Sequence, residues 1–269
     1  MDIFRKILDK LFLHARLAFV LGADIRSRAL LFALAFWLPL RKRMGYGQKM
    51  GIRMNLKKFD TTFQFFITDS TDAAVLKEIF LDGEYDCEAD APPKIIFDFG
   101  SNVGASVIYF KLKYPKAKIY AFEPDPRNGE KLQRNLEQFS DVAVLRYAIG
   151  GENGKRNFFA HPESGISSSL RERVSGQGSY EVEGRTIDAV MEELGVEEID
   201  MLKFDIEGAE QEAFENFKNI AHVKHFIGEL HCDLTGGSKE RFIDLFKGFR
   251  VAVKQIARTR YIVEAARAD

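Results

Sequence analysis

The stretch that decides the fold is residues 94–104, which read KIIFDFGSNVG. An apolar run ends at an aspartate, a turn with glycines at positions 100 and 104 follows, and an apolar-periodic segment begins at Val107. This order predicts a buried strand, a tight turn and a helix start, as in the first unit of a doubly wound α/β sheet. Glycine lets the backbone approach a ligand where any Cβ would collide. The turn therefore predicts a ligand site at the carboxyl end of this strand.

The composition of the turn favours a nucleoside ligand that carries no pyrophosphate. A dinucleotide fingerprint has a third glycine, whereas here Asn102 lies between two glycines four residues apart. The carboxylate of Asp98 at the strand end favours a cationic small molecule, and S-adenosylmethionine fits both conditions. The cofactor-binding residues predicted here are Asp98, Gly100, Ser101, Asn102 and Gly104.

The next two strands add to the predicted adenosine site. Residues 118–122 form a second apolar run that ends at Glu123 and Pro124, and Glu123 lies 19 residues beyond the second glycine. An acidic residue at about this separation binds the ribose hydroxyls in nucleotide-binding α/β folds. A third strand over 142–147 is predicted to turn at Ala148, where a backbone amide meets the adenine edge. Glu123, Pro124 and Ala148 complete the predicted cofactor set.

A second cluster of acidic residues follows the fourth predicted strand. This strand covers residues 199–204 and runs into residues 205–210, which read DIEGAE. Ligands in open α/β sheets bind outside the carboxyl ends of the strands, so Asp205 and Glu207 are expected to face the same crevice as the glycine turn. The simpler alternative for Glu207 is a cap on the following helix.

At this point the residues resemble a known family, the FkbM-type S-adenosylmethionine-dependent methyltransferases. The resemblance rests on Asp-x-Gly-x-Asn-x-Gly at 98–104, Phe-Glu-Pro at 122–124 and LKFDIEGAE at 202–210, and it covers about residues 69–265. It implies the class I methyltransferase fold, a Rossmann-like α/β fold with a mostly parallel seven-stranded sheet. It also implies methylation of a hydroxyl on a sugar, polyketide or related metabolite, so the expected partner is a small-molecule or glycan acceptor.

Methyl transfer to a hydroxyl needs a group that takes the acceptor's proton, and the fifth strand supplies a candidate. This strand covers residues 223–228 and is followed by Glu229 and His231, which alternation places on one side. His231 is the predicted general base because the pKa of free imidazole is near neutral. Asp205 is the second candidate, or the group that orients His231, and Glu207 completes the predicted catalytic set.

A magnesium ion is a further alternative at this crevice. Some hydroxyl methyltransferases of related type use magnesium to bind and acidify the acceptor, and Asp205, Glu229 and Asp233 would supply hard oxygen ligands. Carboxylates at strand ends also cap helices or pair with cations, so a metal-free site stays open.

The charge of the chain is unevenly distributed. The whole chain has a net charge of −1, but residues 1–58 hold 13 basic and three acidic residues, which leaves +10 there and −11 elsewhere. The basic residues follow no nucleic-acid-binding motif, so no nucleic-acid partner is expected. Two cysteines make neither a disulfide framework nor a zinc motif, which favours the cytoplasm.

The N-terminal residues predict two apolar helical segments. Residues 3–12 have an apolar and a basic face, and residues 29–40 are almost wholly apolar and are followed by Arg-Lys-Arg. Twelve helical residues span about 18 Å, which is short of the ~30 Å of a bilayer core. Three interpretations stay open: residues 1–43 contact the inner face of a membrane peripherally, pack on the catalytic domain, or form a homodimer.

The predicted organisation is a basic helical arm at 1–58, a lead-in strand and helix at 59–93, and the cofactor-binding domain at 94–269. The antiparallel hairpin that closes the sheet is predicted from residues 249–256 and 260–265. Within the domain, the polar residues 150–180 predict a flexible lid or a substrate-facing loop. Two other functional classes remain, a nicotinamide-dependent oxidoreductase and a non-catalytic membrane-associated scaffold.

Overall fold

The computed structural model describes residues 2–43, 51–159, 170 and 178–268. Its α-helices are α1 (Asp2–Leu21), α2 (Ile25–Arg43), α3 (Ser70–Leu76), α4 (Ala105–Lys113), α5 (Pro126–Leu136), α6 (Ile187–Leu194), α7 (Glu210–Glu215), α8 (Cys232–Thr235) and α9 (Lys239–Ile243). Its strands are β1 (Ile52–Lys58), β2 (Thr61–Ile67), β3 (Ile95–Phe99), β4 (Lys118–Phe122), β5 (Val142–Leu145), β6 (Tyr147–Ile149), β7 (Gly154–Phe159), β8 (Ser179–Arg185), β9 (Ile199–Phe204), β10 (Val223–His231), β11 (Phe249–Ala257) and β12 (Arg260–Arg267).

The centre of the protein is a seven-stranded sheet in the order β11-β12-β10-β9-β3-β4-β5. The five strands from β10 to β5 are parallel, and β12 lies antiparallel between β10 and β11. The predicted mostly parallel sheet with a C-terminal antiparallel hairpin is confirmed, and with it the class I methyltransferase architecture.

Strands β3 and β9 meet where the strand order reverses. The chain extends the sheet in one direction from β3 to β5 and in the other from β9 to β10, so a crevice opens at the carboxyl ends of β3 and β9. Strand β3 is buried on both faces, since Ile96 packs in one hydrophobic cluster while Phe97 and Phe99 pack in the other. Burial on both faces explains the unbroken apolar run that made this strand predictable.

A second, three-stranded sheet stands beside the crevice. Residues 147–149, predicted to end a strand and turn, instead form β6, which pairs in parallel with β8, and β7 pairs antiparallel with β8 on its other side. The backbone of Ala148 is thus part of a strand that hydrogen-bonds to β8 and not of a turn. Most of the predicted lid at 150–180 lies outside the described residues.

The first 58 residues are not helical throughout, which corrects the predicted arm. Residues 52–58 form β1, and β1 pairs antiparallel with β2 over its whole length. The two residues between the strands, Phe59 and Asp60, both have positive φ, at 50° and 57°. A two-residue hairpin turn of this kind normally carries Asn-Gly or Asp-Gly, so Phe-Asp gave no sequence signal.

One face of the helical hairpin α1–α2 belongs to the core of the catalytic domain. Leu17 and Leu21 of α1 and Leu34 of α2 are fully buried or nearly so, in the cluster that also holds Leu56 of β1 and Ile108 of α4. Of the open interpretations of residues 1–43, packing on the catalytic domain is therefore confirmed for this face. No described helix combines the length and apolarity that crossing a membrane would require.

We expect truncation of this buried face to destabilise the whole domain. Leu34 is 1% exposed, so Leu34→Ala should lower the free energy of unfolding by about 2–5 kcal/mol, because it removes buried methyl groups and leaves a cavity. Phe19→Ala in the same hairpin is the control, since Phe19 is 80% exposed and its loss should change stability by about 0.5 kcal/mol or less. Urea unfolding measures both, and equal effects of the two substitutions would contradict the packing.

Candidate active site

The glycine turn after β3 is held against the end of β9. Gly100, Asn102 and Gly104 have φ angles of 76°, 48° and 91°, in the left-handed region that glycine and asparagine tolerate best. A Cβ atom on Gly100 would lie 1.8 Å from the carbonyl oxygen of Asp205. The turn can therefore approach β9 this closely only because position 100 has no side chain.

A buried ion pair joins the same two strands. The Lys203 Nζ lies 3.2 Å from Asp98 Oδ1, and both side chains are almost completely buried. The ammonium also donates hydrogen bonds to the carbonyl oxygens of Phe99 and Gly100, at 3.1 and 2.8 Å. Burial lowers the pKa of Lys203, but the carboxylates of Asp98 and Asp205 raise it above its ordinary value, so the lysine is charged. Asp98, predicted to face the ligand, is paired with Lys203 beneath the turn.

Glu123 at the end of β4 closes the other side of the turn. Its Oε2 accepts a hydrogen bond from the Asn102 backbone N–H at 2.8 Å, and its Oε1 accepts one from the Asp125 backbone N–H at 2.8 Å. Burial raises the pKa of Glu123 to about 7 despite these bonds. Each carboxylate oxygen has a second lone pair, so Glu123 can hold the turn and still accept hydrogen bonds from a ligand.

A cleft lies along the ends of β3, β4 and β6. The predicted residues that line it are Gly100, Asn102, Glu123, Pro124 and Ala148. The apolar lining that the sequence did not reveal is Phe122, Tyr147, Ile149, Phe158 and Leu170. Two further predicted residues do not line the cleft. Ser101 lies on the far side of the turn, and Gly104 is the N-cap of α4.

A larger cavity of about 600 Å³ opens on that far side. Its charged lining comes from the lead-in segment, from β10 and from the C-terminal hairpin, and includes Glu78, Glu84, Glu229, Lys254 and Arg260. Burial and the carboxylate of Asp205 raise the pKa of Glu84 to about 7. The cleft and the cavity share four lining residues, Gly100, Asn102, Asp205 and Glu207. Among the described residues, these four are therefore where a group bound in the cleft can meet a group bound in the cavity.

We call the four shared residues the junction. The carboxyl groups of Asp205 and Glu207 at the junction, and that of Glu229 in the cavity, lie around His231. The His231 Nε2 lies 3.4 Å from Glu207 Oε2, 3.4 Å from Glu229 Oε1 and 3.9 Å from Asp205 Oδ1. The strand alternation that placed Glu229 and His231 on one side is thus confirmed. Glu207 has a positive φ of 54°, a strained conformation for a residue with a long side chain, so the backbone is bent to bring this carboxylate here.

The charge of His231 differs from the sequence-based expectation. Burial lowers its pKa, but the hydrogen bond to Glu210 and the charges of Glu210, Asp205 and Glu207 raise it to about 10. The side chain is fully buried and lines neither the cleft nor the cavity. At neutral pH His231 is therefore an imidazolium behind the junction, which does not fit the predicted role of a general base that contacts the acceptor.

Two residues of this network had no predicted role. Glu210 is fully buried, receives the Gly208 backbone N–H at 3.0 and 3.1 Å, and lies 3.0 Å from His231 Nδ1. Tyr85 from the lead-in segment donates its hydroxyl to Asp205 Oδ2 at 3.1 Å. Glu210 is the third acidic residue of the DIEGAE segment, and its place there was the only sequence signal for a role. No sequence signal indicated Tyr85, because its partner Asp205 lies 120 residues away in the chain.

The predicted magnesium ligands do not come together. Asp233 is exposed on the first turn of α8, whereas Asp205 and Glu229 face the His231 ring. Asp205, Glu210 and His231 do place ligand atoms within 4.8 Å of one another. That set includes an imidazole nitrogen, whereas magnesium prefers oxygen ligands and octahedral geometry. The residues present do not fit the predicted magnesium site, and no chemical step below is routed through a metal.

We expect the ion pair beneath the turn to be required for folding. Asp98→Asn should lower the free energy of unfolding by about 3–5 kcal/mol, because it leaves the Lys203 ammonium buried without a carboxylate. Lys203→Met should lower the free energy of unfolding by about as much, because it leaves the Asp98 carboxylate buried without its cation. The double substitution should lower it by less than the sum of the two single substitutions. Urea unfolding of all three variants tests this coupling, and strictly additive costs would contradict it.

Comparisons with known proteins agree with this geometry. The family model described as methyltransferase FkbM domain matches residues 98–244, which run from Asp98 to beyond the junction carboxylates. The 2-O-methyltransferase NoeI of Sinorhizobium fredii is 29% identical over an alignment of 161 residues that covers 54% of this chain and 65% of NoeI. The methyltransferase sdnD of Sordaria araneosa is 32% identical over 170 residues, covering 51% of this chain and 66% of sdnD.

A third relative is the hexuronic acid methyltransferase AglP of Haloferax volcanii, 28% identical over 140 residues, which are 51% of this chain and 56% of AglP. The chain spans less than two thirds of the length of each of these three relatives. The family model itself matches more than half of the chain. This protein therefore belongs to the FkbM family of methyltransferases.

Proposed function

We propose that this protein binds S-adenosylmethionine in the cleft and transfers its methyl group to a hydroxyl of a sugar or related metabolite in the larger cavity. The observation that carries the proposal is the junction of the two spaces at Gly100, Asn102, Asp205 and Glu207. Methyl transfer needs the donor sulfur, the methyl carbon and the acceptor oxygen in line. Two binding spaces that meet at one narrow junction supply that alignment.

The lining of the cleft suits an adenosine. Glu123 retains acceptor capacity for the two ribose hydroxyls, and the apolar side chains of Tyr147, Ile149 and Phe158 offer surface to the adenine. When bound, the cofactor supplies a methyl group that its sulfonium has already activated. The junction carboxylates of Asp205 and Glu207 favour that positive charge and so favour the end of the cofactor that must reach the cavity.

The lining of the cavity suits a hydroxyl-rich acceptor. The carboxyl groups of Glu78, Glu84 and Glu229 and the cations of Lys254 and Arg260 line it, and such groups hydrogen-bond the hydroxyls of a sugar. The name of AglP, a hexuronic acid methyltransferase, supports a sugar-type acceptor. The name of NoeI, a 2-O-methyltransferase, supports oxygen as the atom that is methylated.

We assign the proton transfer to Asp205 and a positioning role to His231. Asp205 lines both spaces, its Oδ2 is fixed by Tyr85, and its Oδ1 is buried and accepts no hydrogen bond from the described residues. With the cofactor bound, the acceptor oxygen would take the methyl group from the sulfonium, the electrons of the carbon–sulfur bond would stay on sulfur, and the hydroxyl proton would pass to the carboxylate of Asp205. The His231 imidazolium holds Asp205, Glu207 and Glu229 together, and Glu210 fixes the ring from the opposite nitrogen.

Transfer of an isotope-labelled methyl group tests the proposed reaction. The protein is incubated with labelled S-adenosylmethionine and a panel of hexoses, hexuronic acids and their glycosides, and labelled methyl ethers are detected by mass spectrometry. A labelled sugar ether supports the proposal. Failure of the folded protein to bind S-adenosylhomocysteine would contradict it, and so would hydride transfer from a nicotinamide cofactor.

We expect cofactor affinity to rise with pH through the titration of Glu123. Below its pKa of about 7 the carboxyl is protonated and accepts hydrogen bonds poorly, whereas above it both oxygens accept. The affinity for S-adenosylhomocysteine, measured by calorimetry, should therefore increase from pH 6 to pH 8 by about tenfold or less, since one pKa unit of coupling corresponds to tenfold. Glu123→Gln should bind more weakly and without this rise. A rise that persists in Glu123→Gln would assign the titration to another group.

We expect Asp205 and His231 to differ in how their loss affects turnover. Asp205→Asn should lower kcat by about 10²–10⁴-fold while S-adenosylhomocysteine binding is retained, because it removes the proton acceptor. His231→Gln should retain measurable turnover and shift the rising limb of the pH–rate profile to higher pH. The shift has this sign because the charge of His231 lowers the pKa of Glu229, so removal of the imidazolium raises that pKa.

The exposed Asp233 provides the matched control. Asp233→Asn should leave both kcat and the pH profile unchanged, and chelation of divalent metals should not lower the rate. Complete loss of turnover in His231→Gln at every pH, with activity retained in Asp205→Asn, would reverse the assigned roles. Turnover that is lost on chelation and restored by magnesium would contradict the metal-free mechanism.

A further inference from the structure

Helices α1 and α2 carry an exposed apolar surface that the catalytic site does not use. Its large side chains are between 45% and 86% exposed. They recur at intervals of four and seven residues, so each helix presents one stripe. We call this surface the outer patch and define it as Leu8, Phe12 and Phe19 of α1 with Ile25, Phe32, Phe36 and Leu40 of α2.

The two stripes lie on the side of the hairpin that faces away from the domain. Both helices pack on β1, and their opposite faces, with Leu17 on α1 and Leu34 on α2, enter the same core cluster. The ring centroids of Phe32 and Phe36 are 6.0 Å apart in an edge-to-face arrangement that is open to solvent. Exposed apolar side chains scattered singly are ordinary, but seven large ones aligned on two helices that contact each other mark an interaction site.

Positive charge accompanies the outer patch. Arg5, Arg16, Arg26 and Arg28 are exposed on the same two helices, and Asp9 is the exposed acidic residue among the side chains described there. Arg5 and Arg16 form no ion pair within the described part of the chain, and Arg26 lies near Asp24, whose pKa is lowered by backbone and side-chain hydrogen bonds and also by this guanidinium. On α1, Arg5 and Arg16 flank Phe12 at helical spacing, so cationic and aromatic side chains share one stripe. This combination is typical of helices that lie in the headgroup layer of a membrane.

We propose that the outer patch docks on the surface of an anionic lipid bilayer, with α1 and α2 lying in the plane of the membrane. Helices in this position bury their apolar face about 5–10 Å into the boundary between headgroups and acyl chains. Each arginine near an anionic surface adds attraction that salt screens. The described helices do not cross the membrane, so the contact is peripheral.

The distribution of charge favours a lipid surface over a second copy of the chain. A two-fold dimer through the outer patch would bring Arg5, Arg16 and Arg26 of both copies into one interface, together with the exposed carboxylate of Asp9 from each copy. Like charges across an interface oppose association, whereas anionic headgroups complement them. The other occupant, a homodimer, is therefore an outcome that the test must distinguish.

Vesicle co-sedimentation of the full chain tests the proposal. The vesicles contain phosphatidylcholine alone or with about 30% phosphatidylglycerol, which supplies the anionic surface. Three variants are compared with the wild type: the patch variant Phe12→Ser, Phe19→Ser, Phe36→Ser; the charge variant Arg16→Glu, Arg26→Glu; and the control Lys218→Glu, Val253→Ser, which changes an exposed cation and an exposed apolar residue elsewhere. Unchanged urea midpoints and S-adenosylhomocysteine affinity show that each variant is folded.

Wild type and control should sediment with anionic vesicles, and the patch variant should partition at least about tenfold more weakly, because insertion depends on buried apolar area. The charge variant should lose the preference for phosphatidylglycerol, and added salt should release the wild type. Absence of wild-type binding to anionic vesicles would overturn the proposal. A wild-type dimer in sedimentation equilibrium that the patch variant converts to monomer, without vesicle binding, would assign the outer patch to self-association and also overturn it.

Discussion

The buried ion pair between Asp98 and Lys203 is the interaction on which the site depends. It joins β3 to β9 at the point where the strand order reverses, and the same ammonium binds the carbonyl oxygens at the start of the glycine turn. Gly100 can then lie against the Asp205 backbone, closer than any other residue would allow. The consequence is that the cleft, the cavity and their shared carboxylates are positioned by one contact between two strands.

The electrostatics of the junction follow from the same arrangement. Asp205, Glu207 and Glu229 are brought close together around the His231 imidazolium. Burial and the charge of Asp205 raise the pKa of Glu229 to about 8, and the buried ammonium of Lys203 also attracts Asp205, so the imidazolium is one of several factors that limit their repulsion. Its pKa of about 10 depends on Glu210, which lies beneath it and is fully buried. A histidine that is neutral and basic in isolation thus becomes a fixed positive charge, and the carboxylates that reach the binding spaces take over the proton chemistry in our proposal.

Much of the fold was predictable because local sequence patterns, such as apolar runs and the spacing of glycines and acidic residues, determine it. Apolar runs identified β3, β4 and β9, and the glycine turn and Glu123 lie where their spacing placed them. The failures concern information that a sequence does not carry locally. Strand β1 was missed because Phe59 and Asp60 adopt positive φ without a turn signature. The charge of His231 depends on its burial and on Glu210, which is 21 residues away in the chain. Asp233 is not part of the predicted site because its side chain is exposed to solvent.

A crystal structure of the protein with S-adenosylhomocysteine tests most directly whether methyl transfer occurs across the junction. Transfer there requires the ribose hydroxyls at Glu123, the adenine between the apolar side chains of the cleft, and the sulfur at the junction of Asp205 and Glu207, facing the larger cavity. A complex with the sulfur turned away from the cavity, or with the nucleoside bound elsewhere, would contradict the claim that methyl transfer occurs across this junction.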